Sequence, residues 1–160
     1  MNVADIVRAL KTDIVVGEWR SGHIPRTTFP LSLARPKNYK FGPEYKWRLV
    51  TFDCLRNSFR LLIILNEGKL IYRAILGMEV GQDLTVISHY EFHASEPGWH
   101  CHVTFRDVDT LPQGVNRSHL RRWPKPSVTP SRLEFGVKDS TALGIALARF
   151  RIAAIGPLGV

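Results

Sequence analysis

Between Trp47 and Asp107 the chain repeats one unit: nine to twelve residues rich in β-branched and aromatic side chains, then a short turn. The segments KWRLVTFDC, NSFRLLIILN, KLIYRAILGMEV, LTVISHYEFH and WHCHVTFRD are separated only by LRN, EG, GQD and ASEPG. Strands joined by so few residues must run antiparallel, because a parallel return needs a crossover of a dozen residues or more. The sequence therefore predicts a five-stranded antiparallel meander over about 47–107.

The flanks supply the layer that covers it. Val3, Ile6, Val7 and Leu10 fall at helical spacing, with Asn2 as cap, and predict a helix over 2–10. Leu143, Ala146, Leu147 and Phe150 make a second apolar stripe, in a predicted helix over 139–151 that Asp139 or Ser140 would cap. Residues 20–46, with four prolines and two glycines, read as an irregular arm. Residues 108–137 read as a basic loop, its three late prolines Pro124, Pro126 and Pro130 favouring extended backbone. The expected architecture is α+β, a single domain over 1–160 whose five-stranded meander is covered on one face by an N-terminal and a C-terminal helix.

Alternation along the last two strands decides which residues share a surface. Only a register that keeps Tyr90 and Phe92 with Cys101, Val103 and Phe105 separates apolar from polar side chains. A loop of Ser95–Gly98 meets that condition and sets His93 opposite His100, Glu91 opposite His102 and His89 opposite Thr104. With a turn at Gly81–Asp83, Tyr72 faces Phe92 and Arg73 faces Glu91; Arg60 joins the same polar side from the strand before. The predicted site is thus His89, Glu91, His93, His100, His102 and Thr104, flanked by Arg60, Arg73 and Arg106.

Two chemistries suit such a face. In one, Glu91, His93, His100 and His102 provide acid–base catalysis of phosphodiester cleavage without a cofactor, and Arg60, Arg73, Arg106, Arg121 and Arg122 hold phosphate. Metal-free ribonucleases on antiparallel sheets use the same kit, an analogy of chemistry and architecture only. In the other, His93, His100 and His102 hold a divalent transition metal, zinc, iron or manganese, with Glu91 as ligand or base. His100-x-His102 is also found in cupin-type barrels, but Arg106 and Asp107 stand where their downstream glutamate would fall. A third reading is a non-enzymatic module that binds nucleic acid or protein.

The net charge of +8 favours an anionic partner, nucleic acid and RNA in particular, or else a protein met through the basic surface. Eight basic residues against three acidic ones lie between Lys11 and Arg48, and six against one between Gly114 and Lys138. His119, Arg121, Arg122 and Trp123 interleave base and aromatic as single-strand binders do, with Trp123 expected to pack into the core. Two cysteines, Cys54 and Cys101, are too few for a disulfide framework and read as buried thiols. With neither a secretory-type N-terminus nor an apolar run near 20 residues, the expectation is a cytoplasmic protein that does not enter membranes.

Overall fold

A computed structural model describes residues 1–29, 41–111, 119–123 and 135–153. The three late prolines of the expected basic loop, residues 30–40 of the arm and residues 154–160 lie outside these residues. The described chain is mostly antiparallel sheet of eight strands, with two helices. In chain order these are α1 (Val3–Arg8), β1 (Thr12–Val16), β2 (Arg20–Ser21), β3 (Lys46–Cys54), β4 (Asn57–Asn66), β5 (Ile71–Val80), β6 (Asp83–His93), β7 (Glu96–Thr104), β8 (Leu120–Trp123) and α2 (Asp139–Phe150). The sheet order is β1-β3-β4-β5-β6-β7-β8, with β2 also pairing β3.

The five predicted strands are thus the interior of a wider sheet. β1 and β2 share the outer edge of β3, and β8 pairs the outer edge of β7. These additions overturn part of the irregular arm and part of the basic loop. They are short and lean on a single neighbour, so their side chains need not alternate and leave no period to detect.

One face of the sheet packs on the helices as expected. Val3 and Ile6 of α1 and Ala142, Ala146 and Phe150 of α2 join Phe52, Phe59, Leu61, Ile63, Tyr72 and Leu76 in one core. The α2 stripe centres on Ala142, Ala146 and Phe150, with Leu143 and Leu147 half-buried at its sides. Small alanines let the helix lie close enough for the Tyr72 hydroxyl to donate to the Ala142 carbonyl at 3.0 Å. Trp99 fills the space beneath β6 and β7, its ring against Tyr72, Tyr90 and Phe92 at 5.0–5.6 Å between centroids. Asn2 caps α1 in a capping box with Asp5, and the buried Lys11 ammonium closes its other end on the Val7 and Ala9 carbonyls. The N-cap of α2 is Lys138 rather than Asp139 or Ser140; Thr141 Oγ1 there accepts from the Lys138 amide.

The second face is not the open polar surface that strict alternation implies. Ile24 and Phe29 fold across it, over Trp47, Leu62, Ile64, Ile75, Leu84 and Val86, as a second apolar core. A bulge delivers part of that core. Leu76 pairs Ser88 but Gly77 pairs Val86, so Ile87 is an extra residue, and Leu84 and Val86 move to the opposite side from Tyr90 and Phe92. Gly77 permits the crowding: a Cβ there would stand 2.6 Å from Leu84 Cδ2. Two aromatic expectations also fail. Phe105 lies past the end of β7 and is 68% exposed, and Trp123, on the outermost strand, is 60% exposed.

The unequal worth of these aromatics is testable by urea unfolding. Phe150→Ala opens the helix–sheet core and should cost about 3–5 kcal/mol, whereas Trp123→Ser should fall within about 0.5 kcal/mol of the parent. A Trp123 variant as damaging as the Phe150 variant would contradict the described packing.

Candidate metal and acid-base site

The site sits where β5, β6 and β7 meet on the second face. Tyr72 pairs Phe92 and Arg73 pairs Glu91, as read from the sequence. The β6–β7 hairpin differs. Its turn is Ala94–Ser95, its first pair is His93 with Glu96, and beyond it Glu91 pairs His100 and His89 pairs His102. The partners thus shift by two positions from those expected. An even shift preserves the face of every side chain, so the cluster survives the change of register. Thr104 does not join it: it pairs Leu120, and its hydroxyl accepts from the Arg106 amide.

The shift is absorbed in β7, where residues 97–99 stand against the single Phe92. Pro97 offers no amide to the ladder, which favours a bulge at this point. Gly98 takes φ 99°, a region closed to other residues. Its carbonyl then accepts from His100 Nδ1 at 3.0 Å. An acceptor on Nδ1 fixes the tautomer, so a neutral His100 presents a bare Nε2 to the interior. His93 is steadied similarly by Ser95 Oγ, 2.9 Å from its Nδ1.

Three imidazoles converge on one carboxylate oxygen. Glu91 Oε1 lies 3.1 Å from His102 Nε2, 3.6 Å from His100 Nε2 and 3.9 Å from His93 Nε2. Arg73 Nε holds the other oxygen, Oε2, at 3.2 Å. The His100 ring stands edge-on between those of His93 and His102, with centroids 5.1 and 5.3 Å away. Glu91 and His100 are buried to 1% exposure, while the side chains of His93 and His102 retain 13% and 20%. The cluster is a buried pair with two histidines leading toward solvent. The ligand atoms of Glu91, His100 and His102 all lie within 4.8 Å of one another.

The arginines divide by location. Arg73 belongs to the cluster, and Arg122 stands beside it, paired across strands with His102. Arg60 is committed elsewhere: it binds Glu79 at 2.6 Å and donates to the Thr27 and Thr28 carbonyls, pinning the segment that covers the second core. Arg106 is exposed beyond the end of β7, and Arg121 is exposed opposite Val103, on the far side from the histidines. His119 is buried and donates from Nε2 to the Val86 carbonyl, which gives it a structural place outside the cluster. Sequence reading missed the supporting roles of Gly98 and Ser95; the Pro-Gly pair before Trp99 was their only trace.

Comparison of the chain with protein families, with characterised proteins and with solved structures finds no match. Any functional reading therefore rests on the site itself.

The tautomer can be observed directly. Long-range ¹H–¹⁵N spectra should show His100 protonated on Nδ1, and Gly98→Ala should disturb that signal while straining the bulge by about 1–3 kcal/mol. A His100 protonated on Nε2 alone would remove the described orientation.

Proposed function

We propose that the protein binds one divalent transition metal ion through His100, His102 and Glu91, with His93 as fourth ligand or base, and uses it to hydrolyse phosphodiesters, RNA being the favoured substrate. One observation carries this reading: the three Nε2 atoms lie 3.1–3.9 Å from a single buried carboxylate oxygen. Donor atoms held about 2.0–2.1 Å from a tetrahedral ion are about 3.3 Å apart. Small adjustments of side chains already anchored at Gly98 and Ser95 would close the shell. The mixed nitrogen and oxygen donors suit zinc, iron or manganese.

The same distances weigh against a phosphate held between the groups. A scissile phosphate hydrogen-bonded on two sides needs its acid and base farther apart than direct hydrogen-bonding distance. Glu91 and His100, moreover, are too deeply buried to touch a polymer. A metal would project their charge to the surface through one open coordination position and supply an activated water near neutral pH. Arg122, beside His102, and the +8 net charge favour an anionic substrate. A metal-free version keeps one supporting feature, the 3.1 Å contact of Glu91 with the half-buried His102, a usable acid–base pair.

Elemental analysis of untagged protein should find about one transition-metal ion per chain. Glu91→Gln and His102→Ala should each lower affinity for added zinc at least 100-fold with the fold intact by circular dichroism. RNA cleavage should cease in EDTA and return with metal. Cleavage that persists in EDTA would replace this reading with the metal-free one, and salt-dependent RNA binding without cleavage would leave a binding module.

A further inference from the structure

On the other face of the sheet, behind the histidines, a cleft of about 670 Å³ opens between α1, the carboxyl end of α2 and the β6–β7 ladder. Its floor is the Ser88–Val103 pair, one step along from the His89–His102 pair whose side chains point to the opposite face. Three arginines, Arg8, Arg149 and Arg151, line it, and no acidic residue does. All three are exposed, and none meets a carboxylate among the described residues. Arg149 instead lays its guanidinium over the Tyr90 ring at 5.0 Å and reaches Cys101 Sγ at 3.4 Å.

We propose that this cleft is a binding site for a phosphate monoester that carries an aromatic group, a mononucleotide in size and chemistry. The volume lies within the range of small-molecule pockets, about 300–1,000 Å³. Arg8 and Arg149 each sit in the last turn of their own helix, where the helix dipole favours a cation. With Arg151 just past the end of α2, three arginines line a single concavity, which concentrates positive potential there. Their planar forks offer more donors than one carboxylate can accept, whereas a phosphate dianion has three terminal oxygens to engage them. Asn2, Ser88 and Thr104 add neutral polar groups, and the rest of the wall is apolar. Val3, Val7 and Phe150 lie inside, and Phe105, left 68% exposed past the end of β7, stands at the cleft as a ring for stacking. An exposed phenylalanine beside arginines that meet no carboxylate among the described residues is what an aromatic phosphate would cover.

Calorimetric titration of the full chain with adenosine 5′-monophosphate, adenosine and inorganic phosphate tests the assignment. The monophosphate should bind with a dissociation constant below about 1 mM, at least tenfold more tightly than either fragment. Affinity should weaken as salt rises. Arg8→Gln with Arg149→Gln should weaken it at least tenfold, and Phe105→Ser at least threefold. Thermal melting should show each variant folded, and the zinc affinity of the histidine site should not change. Equal affinity for adenosine and its monophosphate would overturn the proposal. So would binding unchanged in the arginine variants, or binding lost in Glu91→Gln but kept in them, which would assign the ligand to the histidine face.

Discussion

A carboxylate with 1% of its surface exposed governs the arrangement around it. Moving an isolated ionised carboxyl out of water costs several kcal/mol even after relaxation, so Glu91 is tolerable in the sheet only with positive charge and donors close by. Arg73 takes one oxygen from β5, and the imidazoles of β6 and β7 surround the other. The partners come from three adjacent strands, so the register of all three has to be right at once. Burying Glu91 therefore ties the local chemistry to the global pairing. A slip of one residue in either hairpin would place the charge against the helix-side core.

The bulges are the devices that reconcile this demand with packing. The one at Ile87 turns Leu84 and Val86 toward Ile24 and Phe29, walling the histidine side with apolar surface. The one at residues 97–99 aims the Gly98 carbonyl at His100 and sets which nitrogen that ring offers. Together they give a half-buried polar cluster apolar neighbours and a defined tautomer. Walls of low polarity strengthen every electrostatic interaction inside them, which favours a bound cation as much as it penalises a bare carboxylate.

Much of this was legible because side-chain alternation depends only on parity. Arg73 pairs Glu91 as expected although the turn, Gly81–Gln82, is one residue shorter than the sequence suggested, because the extra residue at Ile87 restores the register. The gathering of Glu91, His93, His100 and His102 survived a two-position error in the hairpin because two is even. What escaped notice needed information from beyond the strand. An extra residue such as Ile87 leaves no mark on composition, so the reversal of Leu84 and Val86 could not be read. The second apolar core depends on Ile24 and Phe29, which lie in a stretch with no period. The placement of Arg60, committed to Glu79 and to two carbonyls of that same stretch, was hidden for the same reason.

Whether Glu91, His100 and His102 surround a metal ion is tested most directly by X-ray absorption at the edge of the metal retained by the untagged protein. The proposed site should give a four- or five-coordinate shell of nitrogen and oxygen at about 2.0–2.2 Å, with outer-shell scattering from two or three imidazoles. That imidazole signal should fall in His102→Ala. A six-oxygen shell without imidazole, a sulfur-containing shell, or a spectrum unchanged by that substitution would contradict it.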